Sequence, residues 1–292
     1  MKKEIGRIVK TGSKGTLTKI GQASCLSRVS KVLKHDLNIQ IRSFEFLKIT
    51  HVEQLIQHFK SSQCSRSLQN TMAHIRSALR GVDRETFAAD PRISNKSLGI
   101  NGASRDGTHR AISLKKIEER ISKQEPGAAA TSRLQLTIGL RAREAVQASP
   151  SLKSWAIELQ KYDSITVVHG AKNGRTRIVR FITPESKQAA LEAIKTALEA
   201  SLQAKEVLIP SKTLSGAMKA HNLKMAEVGF LGEESSHALR CTWAQEQYSR
   251  YLVRLDGDVK ESLSRLSMDL GHGDGRGRYV KQVYLKNSAV DD

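Results

Sequence analysis

One short stretch holds a histidine, alternating glycines, two arginines and two tyrosines. It reads LGHGDGRGRYVKQVYL and spans residues 270–285. The glycines permit backbone conformations that other residues avoid, and the arginines suit a polyanionic partner. A nucleotide-binding P-loop fits poorly, because the stretch lacks the Lys-Ser/Thr pair and follows a helical pattern where a strand is required. His272, Tyr279 and Tyr284 are its candidate reactive side chains.

Arg141 lies in an otherwise apolar helical stretch, TIGLRAREAV, with Glu144 three residues further on. Burying an unpaired guanidinium costs several kcal/mol, so Arg141 needs a partner. A plain helix pair with Glu144 and a functional cation are both open interpretations.

Two more places combine charge with an unusual setting. Lys172 falls at the tip of a predicted hairpin, although an exposed turn lysine in such a lysine-rich chain usually has no function. His237 and Arg240 lie three residues apart on one face of a helix that Ser235 or Ser236 can cap. A helix N-terminus with His and Arg predicts an anion site, and a solvated polar face is the alternative.

The elements around these residues are helices and one hairpin. Two β-branched runs in residues 163–182 flank Ala-Lys-Asn-Gly, and Asn-Gly between such runs predicts a hairpin. Thr183 can cap a helix whose first residue is Pro184. Further helices are predicted at about 211–227, 236–253 and 258–270.

The N-terminal region has a different pattern. Between residues 22 and 80, apolar residues recur at helical spacing in three blocks, which predicts a small helical bundle. A second stripe carries Arg76 and Arg80, which we expect to contact DNA phosphates unless they only form a solvated face. Residues 86–110 lack a sustained period and indicate a basic linker, in which Arg105 is another candidate DNA contact. The predicted domains are therefore 1–105 and 106–292.

The most unusual feature of the composition is its large positive net charge. The 292 residues include 48 Lys and Arg against 29 Asp and Glu, a net charge of +19. This excess favours a nucleic acid partner. Three scattered cysteines without a C-x-x-C pair predict neither disulfides nor a zinc site. Without a signal sequence or a membrane span in the sequence, we expect a cytoplasmic protein with no membrane partner.

In their order, these motifs resemble those of the tyrosine recombinases, or phage integrase family. GLRAREA is similar to the family's first arginine motif, GAKNGRTRIV to its hairpin lysine, HALR to its His-x-x-Arg box, and LGHGDGRGRYVKQVY to its Leu-Gly-His box and nucleophile. The resemblance implies six catalytic residues: Arg141, Lys172, His237, Arg240, His272 and Tyr284. It also implies a mainly α-helical, two-domain protein, with a helical core-binding domain and a mixed α+β catalytic domain that contains a small β-hairpin.

Neither tyrosine lies at the family's usual distance from the histidine. Tyr284 is favoured, because the apolar residue before it matches the family pattern and the glycine-rich loop can absorb the surplus residues. Tyr279 remains the alternative nucleophile.

The resemblance further implies a site-specific recombinase acting on double-stranded DNA through a 3′-phosphotyrosyl intermediate, without metal, ATP or another cofactor. It implies a dimer on one DNA site and a tetramer on paired sites. The alternatives are a type IB topoisomerase and a non-catalytic DNA-binding protein derived from a recombinase. An RNA-binding protein is disfavoured, because aromatic residues at 4% leave few stacking platforms.

Overall fold

The computed structural model describes residues 2–11, 15–103 and 110–285. The chain divides into two compact units, Met1–Ser104 and Arg105–Asp292. Arg105, a predicted DNA contact, lies outside the described residues.

The first unit is a helical bundle, as the apolar spacing predicted. Its helices are α1 (Lys2–Thr11), α2 (Thr16–Lys31), α3 (Ile49–Lys60), α4 (Ser65–Arg80) and α5 (Glu85–Ala88). The three apolar blocks form much of its core, since the following side chains are buried: Leu26, Val29, Leu33, Val52, Leu55, Ile56, Phe59, Leu68, Met72, Ile75 and Leu79.

The segment after α5 is not the extended linker that the sequence predicted. Ile93, Leu98 and Ile100 are buried in the core of the first unit. Their irregular spacing gives no period, so a pattern search cannot recognise them as core residues.

The second stripe of α4 contacts this same segment. Arg76 donates from Nη2 to the Ile93 carbonyl at 2.7 Å and to Asn95 Oδ1 at 2.9 Å. Arg80 is half exposed and pairs with Glu85 at 2.9 Å. Both arginines have partners in the chain, and their contact with DNA stays a prediction.

The second unit is helical with one two-stranded antiparallel sheet. Its helices are α6 (Leu114–Ser122), α7 (Pro126–Ile138), α8 (Ala142–Val146), α9 (Leu152–Lys161), α10 (Pro184–Gln203), α11 (Leu214–Glu227), α12 (Ser236–Arg254), α13 (Val259–Asp269) and α14 (Gly277–Val280). The strands are β1 (Ser164–Val167) and β2 (Arg177–Arg180). Trp155, Leu134 and Ile194 are buried in its main core, with Tyr284 at the margin of the same cluster. None of the helices in the described ranges is long and apolar enough to cross a bilayer.

The predicted hairpin forms, but without a tight Asn-Gly turn. Ser164 pairs with Arg180 and Val167 with Arg177, so the connection runs through residues 168–176 and contains a 3-10 turn, Lys172–Gly174. The Gly170 backbone packs against α8: a Cβ on Gly170 would lie 2.7 Å from the Arg143 carbonyl oxygen. This close approach leaves no room for a side chain between the connection and α8 at Gly170.

The predicted start of the following helix is confirmed. Thr183 caps α10, because its side chain accepts a hydrogen bond from the Ser186 amide, and Pro184 is the first helical residue.

Candidate active site

The Glu144 carboxylate on α8 lies at the centre of the predicted site. It is buried, and Arg141 Nη1 donates to its Oε1 at 2.6 Å while Arg177 Nη2 donates to its Oε2 at 2.9 Å. Arg240 Nη1 lies 3.9 Å from the same Oε2. Burial alone would raise the pKa of Glu144, but the positive charges of these arginines outweigh it and hold the pKa below its ordinary value. Glu144 is therefore a fixed carboxylate shared by three guanidiniums.

Two backbone carbonyls complete the arginine contacts. The Gly139 carbonyl accepts from Arg240 Nη1 and, at 3.2 Å, from Arg177 Nη2. The Leu270 carbonyl accepts from Arg240 Nη2 at 2.6 Å and from Arg141 Nη2 at 3.0 Å. Because each carbonyl binds two guanidiniums, the ends of α7 and α13 set the positions of Arg141 and Arg240.

Tyr284 lies within this cluster. Its side chain is buried, and its hydroxyl lies 3.1 Å from His272 Nε2 and 3.5 Å from Arg240 Nε. The His237 ring is near as well, with 5.6 Å between the ring centroids of His237 and Tyr284. The structure therefore brings His237, Arg240, His272 and Tyr284 together.

Tyr279 has a different place. Its ring packs edge-on against His272, with 4.9 Å between the ring centroids. The segment between His272 and Tyr284 is only partly a glycine-rich loop, because residues 277–280 form α14 and Lys281–Leu285 form a π-helical turn. A π-helical turn takes in an extra residue. A glycine-containing loop, α14 and this turn therefore separate His272 from Tyr284 along the chain.

His272 is neutral at neutral pH. Burial lowers its pKa to about 3, and the charges of Arg240, Arg141, Lys172 and Arg177 add to this effect. A neutral imidazole offers one donor and one acceptor nitrogen, so Nε2 can either accept from the Tyr284 hydroxyl or donate to it.

Lys172 lies at the edge of the site. It is exposed on the 3-10 turn of the β1–β2 connection. Its charge is close enough to lower the pKa of His272. The contact between Gly170 and α8 anchors the segment that carries Lys172.

Sequence reasoning missed two residues of the site. One is Arg177, which is buried beside Glu144. The alternation of the strand could have indicated its burial, because Arg177 lies on the same inward face of β2 as Val179.

The other is Asp269, which is buried at the end of α13 and accepts hydrogen bonds from Tyr251 Oη at 2.6 Å, from Arg180 Nη1 at 2.8 Å and from Gln247 Nε2 at 3.3 Å. Asp269 lies three residues after buried Leu266, and this spacing puts both on the core-facing side of α13. Asp269 anchors the helix end that carries Leu270 and leads to His272.

A cleft of about 330 Å³ opens between β2 and the turn that carries His272. Its lining includes three arginines, His272 and two glycines: Arg175, Arg177, Arg180, His272, Gly271 and Gly273. Such a surface attracts phosphate groups. Within the part of the chain that the structure describes, no group of three His, Cys, Asp or Glu side chains is placed to hold a metal ion.

Comparison with family models identifies the chain. The model described as integrase matches residues 99–246, and the model described as phage integrase, N-terminal, matches residues 1–88. The chain belongs to the tyrosine recombinase family. The integrase match contains Arg141, Lys172, His237 and Arg240, and it ends before His272 and Tyr284.

Two solved structures are similar to this recombinase. One is the Tn1549 transposon integrase in complex with transposon right end DNA, with 13% identity over 97% of this chain and 94% of that chain, and a TM-score of 0.54. The other is the XerA recombinase, with 14% identity over 99% and 96% of the two chains and a TM-score of 0.35. The first likeness shows a shared fold. A search of curated protein sequences found no match.

Gly139→Ala should destabilise the second unit much more than Gly174→Ala. Both glycines have φ of +68°, where alanine costs about 1–2 kcal/mol, but a Cβ on Gly139 would lie 2.2 Å from the Trp243 ring whereas nothing lies within 4 Å of one on Gly174. Overpacking should add roughly 1–3 kcal/mol at Gly139. Urea unfolding followed by tryptophan fluorescence measures the difference. Equal losses would show that the Trp243 contact does not restrict this position.

The free energy of unfolding should fall as the pH drops from about 6.5 towards 4. Burial lowers the pKa of His221 to about 4, and His272 is lowered to about 3, so the unfolded chain binds more protons in this window. His221→Gln and His272→Gln should each reduce the slope of stability against pH. A slope unaffected by both test substitutions would contradict the assignment.

Proposed function

We propose that this recombinase cleaves and rejoins double-stranded DNA by attack of Tyr284 Oη on a backbone phosphodiester. The Oη–P bond forms as the P–O5′ bond breaks, which leaves a 3′-phosphotyrosyl ester and a free 5′ hydroxyl. The ester conserves the energy of the broken bond, so the reverse attack by a 5′ hydroxyl rejoins DNA without ATP. The observation that carries this proposal is the Tyr284 hydroxyl within hydrogen-bonding distance of His272 and Arg240.

Arg141 and Arg240 donate hydrogen bonds to the non-bridging oxygens of the phosphate in this mechanism. A guanidinium stays protonated and presents a planar fork to two oxygens. Glu144 and the Leu270 carbonyl hold Arg141 in place before DNA binds, and the Gly139 and Leu270 carbonyls hold Arg240, so little reorganisation is needed as charge develops. His237 adds a further donor beside Tyr284, and neutral His272 can accept the Tyr284 proton at Nε2.

Two protons must move in the reaction. The Tyr284 phenol passes its proton to His272 Nε2, which lies 3.1 Å from the hydroxyl, as its oxygen attacks the phosphorus. The departing O5′ must gain a proton, and we assign this role to Lys172, whose exposed position on the β1–β2 connection suits a group that reaches the substrate.

The proposed substrate is supported by the net charge of +19 and by the arginine-lined cleft. Lysines and arginines that neutralise phosphates release counterions, so DNA affinity should fall with added salt. Residues 1–105 are proposed as the core-binding domain and 106–292 as the catalytic domain of a cytoplasmic enzyme. The proposed assembly is a dimer on one site and a tetramer on paired sites.

Tyr284→Phe should abolish a covalent protein–DNA adduct that Tyr279→Phe still forms. The substrate is a nicked duplex built on break sites mapped from protein-linked DNA of the native host, because the nick traps the adduct. Denaturing gels measure the adduct. The reverse result would make Tyr279 the nucleophile. Strand exchange between two sites, measured beside relaxation of supercoiled DNA, separates a recombinase from a topoisomerase.

Lys172→Ala should slow cleavage of ordinary DNA by about 100-fold or more, since general acid catalysis typically contributes 10²–10⁴-fold. A duplex with sulfur in place of the bridging O5′ has a leaving group that needs no proton, so the same variant should cleave it at close to the unaltered rate. Single-turnover adduct formation measures both rates. Equal slowing on both duplexes would remove Lys172 from the role of general acid.

A further inference from the structure

Arg177 is buried in an unusual way. Its side chain is 3% exposed, and only Nη2 donates, to Glu144 and the Gly139 carbonyl. Nε and Nη1 are buried with no hydrogen-bond partner among the described residues. An unsatisfied buried donor typically costs about 1–3 kcal/mol, more on a charged group, so a position that serves packing alone would favour an apolar side chain.

Gly271 makes room for this side chain. A Cβ on Gly271 would lie 2.6 Å from Arg177 Cδ. The turn that carries His272 therefore packs directly over the Arg177 side chain. Glu144 is contacted by two arginines that differ in exposure: the Arg177 side chain is buried, whereas the Arg141 side chain is partly exposed.

The charges around Glu144 do not balance in the free protein. Arg141, Arg177 and Arg240 share the single Glu144 carboxylate, which leaves two positive charges beside neutral His272. Asp269 favours the charged form of Arg177, but its carboxylate already pairs with Arg180, so the pair adds no net negative charge to the cluster. Burial lowers the pKa of Arg177 to about 9, and at that value the guanidinium is still charged at neutral pH. Exposed Lys172 adds to the excess.

The reacting groups bring the missing negative charge. A phosphodiester carries one negative charge, and further negative charge collects on its non-bridging oxygens as Tyr284 attacks, so the reacting phosphate offsets part of the positive charge around Glu144. Without Arg177, Glu144 would neutralise one of the two arginines that face the phosphate. Arg177 keeps both of those arginines in excess over the carboxylate. In a low-dielectric site this excess positive charge acts strongly on the negative charge that develops on the phosphate.

We propose that Arg177 is a positioning residue for DNA cleavage, which holds Glu144 between Arg141 and Arg240 and supplies positive charge that acts on the negative charge of the reacting phosphate. The inference rests on the proposed function, since it assumes attack by Tyr284. It assigns Arg177 no contact with DNA.

The test compares two nicked duplexes with the mapped break, one with a normal phosphodiester and one with a methylphosphonate at the scissile position. The methylphosphonate lacks one negative charge. Arg177→Met should slow adduct formation about 100-fold on the phosphodiester and less than about tenfold on the methylphosphonate, in line with loss of one electrostatic donor. DNA affinity should change less than about threefold, because the buried side chain does not contact DNA.

Two other variants complete the experiment. Arg177→Lys keeps the charge but loses the fork, so it should slow both duplexes by a similar factor and leave their ratio unchanged. Arg265→Met is the control, because Arg265 is exposed on α13 with Glu261 and its loss should change neither rate. Thermal unfolding reports whether each variant is folded. If Arg177→Met does not fold, the ratio in Arg177→Lys decides the proposal.

The outcomes separate the two proposals. Absence of an adduct with the unaltered chain would reject attack by Tyr284. An adduct with the unaltered chain, together with equal slowing of both duplexes in Arg177→Met, would overturn the electrostatic role of Arg177. A ratio that changes in Arg177→Lys would overturn it as well.

Discussion

The site depends on one buried carboxylate. Glu144 is the single acid that three guanidiniums share, and its loss would leave three like charges facing each other in a water-poor interior. Such an arrangement is strongly destabilising, since uncompensated buried charges cost several kcal/mol. The short helix α8 and the residues that fix Glu144 are therefore as important to the site as the arginines themselves.

Backbone carbonyls supply the hydrogen-bond acceptors that the Glu144 carboxylate cannot provide. Each guanidinium has five donors and one carboxylate cannot satisfy them all, so the Gly139 and Leu270 carbonyls take further bonds. These carbonyls lie at the ends of α7 and α13, where helices leave acceptors unused. Asp269 ties the end of α13 to β2 and α12 through Arg180 and Tyr251. Residues outside the proposed set of phosphate contacts therefore determine where Arg240 points.

The sequence alone predicted most of the helices, the hairpin and the chemical types of the site, because each follows from local periodicity or from a short motif. It did not predict the core role of residues 93–100, whose apolar side chains have no regular spacing. It also could not place Tyr284 beside His272, since that depends on α14 and a π-helical turn formed after the glycines. Arg177 was missed because a charged residue on the inward face of a strand contradicts the usual alternation pattern.

Burial is the main cause of the lowered pKa of His272, and the cations that suit the site to phosphate lower it further. Each arginine that attracts a phosphodiester also disfavours a proton on His272, so the free site holds Tyr284 against an uncharged imidazole. A bound phosphodiester would offset those cations and raise the pKa of His272. In the proposed mechanism, DNA binding would then make this imidazole a better proton acceptor for the Tyr284 phenol, so the basicity of His272 would depend on whether DNA is bound.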